Sequence, residues 1–421
     1  MSLLDHLSAK LAAVSAQSLK RSLRRADTGT APRQTVNGRE LLMFCSNDYL
    51  GLAAEPAVAE ALAEGARRWG GGSGASPLVS GHSAAHEAVT DTLARWYAPH
   101  IPQARAIGFC TGYMANLAVV TALGDEHTEI FSEQLNHASL IDAARLAKAR
   151  VTRYGHADVA GLRTLLEAST AQVKLIVTDA VFSMDGDLAP LPALLALANE
   201  FDAWLVVDDA HGFGVLGAQG RGSLEHFGLR SERLILVGTL GKAAGLAGAF
   251  VAAHTTIVEY LLQAARNFIF STASPPAVEH ALLTSFALIE GPLGTARRAN
   301  LARLQGQLRA GLVALIERHP RLGWSLTEAT TPIQPLVIGG NAEVMALAAA
   351  LEAAGLRVPG IRPPTVAAGT ARLRITLCAT HTAADVDQLL TALGRAAAEL
   401  DASAPPPHAD ESLAKALSYT G

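Results

Sequence analysis

Two hydrophobic patterns alternate along the middle of this chain. From about Arg105 to Ala253, short β-rich runs are each followed by a stretch with helical spacing. ARAIGFC leads into a helix from Met114, EIFSE into a helix near Leu140, and VKLIVTDAVF into a helix from Leu191. AWLVVDDA, LILVGT and GAFVAA follow as further strands. Strands separated by helices predict an α/β fold, with a mostly parallel central sheet and helices on both faces. Ligands bind such sheets at the carboxyl ends of the strands. The residues that follow each strand are therefore expected to share one cleft.

Outside that region the pattern changes. The opening MSLLDHLSAKLAAVSAQSLKRSLRRA reads as an amphipathic helix, because Asp5 and His6 interrupt what a signal peptide would keep apolar. A polar link, TGTAPRQTVNGRE, leads to SNDYLGL. Beyond SPPAVEH, two long helical stretches run to about His319. A smaller α+β segment follows: LTEATTPIQPLVIGG, a helix from Ala342 to Ala354, LRVPGIRPPTV, RLRITL, and a helix ending near Leu400. The reading divides the chain into an N-terminal helical segment (1–45), a large domain (46–285), a small C-terminal domain (286–400) and a flexible tail (401–421). No internal repeat is found.

Composition narrows the function. With 421 residues, half of them hydrophobic and only 17% charged, disorder is excluded for most of the chain. Lys+Arg is 34 and Asp+Glu is 38, so the net charge of -4 leaves no basic excess for a nucleic-acid backbone. The apolar run Ala243 to Val258 is interrupted by Gly245, Gly248 and His254 and is too short to span a membrane. Cys45, Cys110 and Cys378 lie far apart and make no metal pattern; a sparse, odd set fits a reducing cytoplasm. The expectation is a cytoplasmic protein with no nucleic-acid partner, no membrane partner and no metal.

Lysine is scarce, and one stands apart. Lys242 sits in LVGTLGKAAGLAGAF, directly after a strand and within a Gly-rich apolar turn. Burial there lowers an amine's pKa and makes it a usable nucleophile. The turn is no Walker A loop: Leu236 stands at the first Gly position and Ala243 replaces the hydroxyl residue. A second strand ends in Asp208 and Asp209, followed by His211, inside VDDAHGFGVLGAQGRG. Gly212, Gly214 and Gly217 match the dinucleotide spacing formally. They do not open a helix, however, and the next strand ends in Thr239 with no acid, so the nicotinamide reading fails. For Asp208 the bland reading is a turn or cap, and for His211 a satisfied core histidine. Gly112 and Tyr113 start a helix after a strand, where backbone N–H groups and the helix dipole favour an anion. Asn136-His137 follows another strand; its imidazole either stacks on a planar ligand or caps a helix. Ser183 follows a further strand, with an Asp-Gly turn behind it. Arg374, in the alternating RLRITL, either belongs to a charged outer face or grips a substrate carboxylate bidentately. GGGSGASPLVSGHSAAH, from Gly70, reads as an ordered loop, and no G-x-S-x-G element points to a serine hydrolase. A lysine nucleophile, a carboxylate, two histidines, a helix start for phosphate and an arginine together suit pyridoxal 5'-phosphate.

These pieces fall in a familiar order. SNDYLGL, GGGSGASPLVSGHSAAH, TGYMAN, NHASL, VFSMDGD, VDDAHGFG, GTLGKAAG and RPPTVAAGTARLR, from about residue 40 to 380, resemble the α-oxoamine synthases, fold-type I pyridoxal phosphate enzymes. The resemblance implies that Lys242 bonds to the cofactor and later moves a proton. It implies that Asp208 pairs with the pyridine nitrogen, His211 and Ser183 touch the ring substituents, and His137 stacks on the ring. It places phosphate on Gly112, Tyr113 and Thr239, the amino-acid carboxylate on Asn47 and Arg374, and the acyl substrate near Thr365. An N-terminal arginine, Arg21 or Arg24, is implied to contact substrate. IRPPTV followed by GTARLRITL most resembles the branch that condenses L-alanine with a pimeloyl thioester of coenzyme A or acyl carrier protein, in biotin synthesis. The glycine and acetyl-CoA branch is the alternative. The chain departs from the common pattern at Ala367, where proline is usual, and at His82, where tyrosine is usual. A homodimer is implied, with the Gly70–Ser83 loop reaching the partner's cofactor.

Overall fold

The computed structural model describes residues 2–16 and 19–403. Most of the tail expected over 401–421 lies outside them.

The stretch expected as a polar link is instead a β-hairpin. Arg33–Val36 (β1) pairs antiparallel with Arg39–Met43 (β2). Asn37 and Gly38 make its two-residue turn, with φ of 50° and 76°. An Asn-Gly pair between extended runs is a strong hairpin signal, because both positions need positive φ. Among the described residues of the N-terminal segment, the helix spans Leu3–Ala16.

The central sheet has seven strands: Ala104–Phe109 (β3), Thr128–Glu133 (β4), Arg150–Tyr154 (β5), Val173–Asp179 (β6), Ala203–Asp208 (β7), Leu234–Thr239 (β8) and Ala249–His254 (β9). Their order is β3-β9-β8-β7-β6-β4-β5. All pairs are parallel except those of β9, which runs antiparallel to both β3 and β8. The predicted mostly parallel sheet is present. β5 was not anticipated: RVTRY lies at the edge with several exposed positions, so it lacks the apolar run of the inner strands.

Alternation along the inner strands feeds two cores. Ile176, Leu205, Val207 and Leu236 point into one; Leu175, Val177, Val206 and Val237 point into the other. Side chains of period two face opposite sides of a sheet, so a strand covered on both faces must be apolar throughout. The helix Gly112–Leu123 covers the second face through Ala115, Val119 and Val120. The long helices Pro276–Glu290 and Pro292–Arg318 contribute Leu282, Phe286, Leu304 and Leu308 to the first.

Two further sheets complete the frame. Ser325–Leu326 (β10), Ile333–Gly339 (β11), Gly360–Ile361 (β13) and Ala371–Thr376 (β14) form the order β10-β11-β14-β13. Leu356–Arg357 (β12) pairs parallel with β2 and so ties the N-terminal hairpin to the C-terminal segment. The two-faced reading of RLRITL gives way here: every residue of β14 is buried. Leu373 and Ile375 enter the core, while Arg372 and Arg374 grip the loop after β6.

Candidate active site

The carboxyl ends of β6, β7 and β8 stand side by side, and register pairs Asp179 with Asp208. Two carboxylates at adjacent strand ends repel each other. Burial, then the Asp208 charge, pushes Asp179 well above the usual carboxylate range. Asp208 is held by donors: Asn116 Nδ2 at 2.6 Å and the Ala210 N–H at 2.9 Å.

Lys242 follows β8 in a turn closed by a bond from the Gly245 N–H to its carbonyl. Its Nζ lies 3.0 Å from His211 Nε2. Burial pushes the amine down to about 8, against the opposing pull of Asp208 and Asp179. His211 is buried, and its other ring nitrogen meets the Tyr49 hydroxyl. Burial, reinforced by the Lys242 charge, holds its pKa well below the ordinary value, so the ring is neutral. His211 is thus a satisfied buried histidine, and its partner is the lysine singled out by its sequence context.

His137 is the N-cap of the helix Ala138–Leu146, and Nδ1 accepts from the Ser139 N–H at 3.3 Å. The cap and the ligand-facing readings coexist, because the ring remains exposed beside Asp208 and Lys242. Gly112 opens the helix Gly112–Leu123, capped by Thr111, whose side chain accepts from the Met114 N–H. A Cβ built on Gly112 would stand 3.6 Å from Thr239, so these two meet. Tyr113 is half exposed and donates from its hydroxyl to Asp142 at 2.7 Å.

The small sheet closes the group from the other side. Arg374 Nε donates to the Ser183 carbonyl at 2.6 Å, and its Nη atoms donate to Thr376 Oγ1 and Asn47 Oδ1 at 3.0 and 3.3 Å. The guanidinium is buried and has no carboxylate partner among the described residues. Buried cations are normally paired, so this guanidinium suits an incoming carboxylate. Asn47 and Ser183 are thereby brought to Arg374.

Two expected residues stand apart. Thr365 is exposed, with its N–H donating to the Arg362 carbonyl. Arg21 is exposed, and no ion pair or hydrogen bond among the described residues ties it to the Lys242 group. Arg24 pairs with Glu352, which also pairs with Arg357. A cavity of about 470 Å³ lies between the Pro77–Gly81 turn, β3 and Phe268 to Glu279, and neither Lys242 nor Asp208 lines it.

Sequence reasoning missed Tyr49, Asn116, Ser139 and Asp179. Tyr49 and Asn116 stand inside SNDYLGL and TGYMAN, and Ser139 inside NHASL. Asp179 ends VKLIVTD as Asp208 ends AWLVVD, so strand-end position was its available signal.

The donor set fits pyridoxal phosphate. A buried carboxyl group, Asp208, suits a pyridinium nitrogen. An amine of depressed pKa lies beside it. The helix Gly112–Leu123 begins at Gly112 against Thr239, and a helix N-terminus beside a hydroxyl suits a phosphate.

The comparisons agree. The family model for aminotransferase class I and II matches residues 39–393. An 8-amino-7-oxononanoate synthase 2 from Polaromonas sp. is 63% identical over 94% of this chain and all of its own length. An 8-amino-7-oxononanoate synthase from Leptothrix cholodnii is 61% identical, with the same coverage. Among solved structures, serine palmitoyltransferase from Sphingomonas wittichii superposes with a TM-score of 0.86 at 30% identity, covering 96% of this chain and 100% of that one. The 8-amino-7-oxononanoate synthase from Francisella tularensis gives 0.70 at 29% identity, covering 86% of this chain and 98% of that one. Strand order, the lysine at the strand ends and these full-length likenesses place the chain in the 8-amino-7-oxononanoate synthase family of the class I and II aminotransferases.

Proposed function

We propose that this site condenses L-alanine with a pimeloyl thioester, giving 8-amino-7-oxononanoate, carbon dioxide and the free thiol. The observation that carries it is a pairing: a lysine of lowered pKa touching His211, and a buried arginine with no carboxylate of its own. Pyridoxal 5'-phosphate is the cofactor, and it supplies an electron sink for the amino acid's α-carbon.

The chain's own residues do the rest. Lys242, partly neutral near pH 8, offers Nζ as the amine that bonds to the cofactor and then as the base that takes the α-proton. Asp208 would keep a proton on the pyridine nitrogen, and Asn116 and the Ala210 N–H hold that carboxylate in place. His211 and Ser183 would hold the ring substituents, and His137 the ring face. Gly112, Tyr113 and Thr239 would hold phosphate. Arg374 takes the substrate carboxylate, with Asn47 orienting the guanidinium, until that carboxylate leaves as carbon dioxide. Thr365 and Arg21 are assigned to the acyl chain. Arg24 is less suited, because Glu352 already neutralises it.

The acting form is a homodimer in the cytoplasm. Leu78 and Val79, on the Pro77–Gly81 turn, and the nearby Phe270 are 50%, 79% and 69% exposed, an apolar face that a second copy would cover. Among the described residues no helix is long and apolar enough to cross a membrane. The test is the specificity constant for L-alanine with pimeloyl-CoA against glycine with acetyl-CoA. The first pair is expected to win; preference for the second would transfer the chain to the glycine branch.

A further inference from the structure

Asn116 is 1% exposed, in the first turns of the helix Gly112–Leu123, and both hydrogens of its Nδ2 are in use. One goes to Asp208 Oδ2 at 2.6 Å and the other to Ser139 Oγ at 2.8 Å. The amide cannot be turned over, because its oxygen would then face the carboxylate. Asn116 Oδ1 has no partner among the described residues, although a buried acceptor left unpaired is unfavourable. The orientation is therefore set by the nitrogen's two contacts.

That direction propagates. Ser139 Oγ accepts from Asn116, so its own proton is free to go to His137 Nδ1, 2.7 Å away. The Ser139 N–H points at the same nitrogen. Two donors aimed at Nδ1 leave it no proton, so the imidazole carries its hydrogen on Nε2.

We propose that Asn116 is a positioning residue that, acting through Ser139, fixes His137 in the Nε2–H form and locks this ring to the Asp208 carboxylate. The two groups assigned to the face and the nitrogen of the cofactor ring then move as one piece. Burial, with the Lys242 charge, holds the His137 pKa below its ordinary value against the pull of Asp208 and Asp142, so the ring stays neutral and the relay selects its tautomer. The inference rests on the cofactor reading only for the roles of His137 and Asp208. The tautomer is a property of the protein without its cofactor.

The test is nitrogen NMR of histidine-labelled protein, with and without pyridoxal phosphate, His137 being assigned by difference from H137Q. The expected spectrum has a bare Nδ1 and a protonated Nε2. S139A removes the hydroxyl donor and leaves only the longer backbone N–H contact, and N116L frees the hydroxyl to turn away; both should mix the tautomers and raise the His137 pKa by about half to one unit. N116L should also release the cofactor on dialysis about tenfold faster or more, as expected for losing a hydrogen bond to a charged group, while S139A keeps the Asp208 contact and loses less. A proton on Nδ1 in the unaltered protein overturns the proposal. So does a wild-type tautomer and pKa in S139A, which decides the matter should N116L not fold. Wild-type cofactor retention by a folded N116L would remove the Asp208 arm.

Discussion

Replacing Arg374 by lysine keeps the charge and removes the fork. In the structure the guanidinium uses Nε for the Ser183 carbonyl and turns its Nη atoms to Thr376 and Asn47. A lysine ammonium is a point donor on a flexible stem and cannot hold three anchors and a carboxylate together. The lost charge-assisted bond to the substrate carboxylate is worth about 1.5–3 kcal/mol. At about 1.4 kcal/mol per tenfold, kcat/KM for L-alanine should fall by about ten- to a hundredfold. The loss should appear mainly in the KM for the amino acid, because the carboxylate is bound before it departs, and the KM for the thioester should hardly move. The folded state also loses the bond to Ser183, about 1 kcal/mol. Steady-state kinetics with each substrate varied in turn make the measurement. An unchanged KM for L-alanine, or a rise confined to the thioester, would refute the assignment of Arg374.

Two other outcomes follow from buried titrations. His156 sits between Asp187 and Glu133, each at 2.9 Å, and these carboxylates push its pKa up to about 10. A raised folded-state pKa contributes stability that is fully present below about pH 6.5 and is lost as pH rises through about 10. Melting temperatures of the wild type and H156Q should therefore differ most at about pH 6, narrow as pH rises and converge above about pH 10; a constant gap would contradict the pairing. Lys242, pushed down to about 8 by burial, becomes a neutral amine at lower pH than an ordinary lysine. Capture of pyridoxal phosphate by the cofactor-free protein should speed up with pH and level off above about 8.5–9. A rate still climbing steeply through pH 10 would show an unperturbed amine.

Much of this was legible because strand ends are local features. Asp208, Thr239 and Lys242 each follow a recognisable apolar run, and the parallel topology then brings them together. The Asn37–Gly38 hairpin was legible too, since the dipeptide carries its own φ requirement, yet the polar composition around it suggested a link. What sequence could not supply was the second layer of contacts. Tyr49 reaches His211 across 162 positions, and Asn116 reaches Asp208 across 92. Neither bond leaves a periodic trace. β14 misled for a related reason: alternating Arg and Leu predicts a wet face. The half-buried loop of Ser183 and Asp185 instead supplies acceptors for both arginines.

The central claim is that Lys242 is the residue that bonds to the cofactor, and borohydride reduction followed by peptide mapping tests it most directly. The purified yellow protein should lose its visible band on reduction. A single pyridoxyl group should then be found on the peptide carrying Lys242, the lysine that touches His211. An adduct on any of the other lysines, or no adduct at all, would contradict the account.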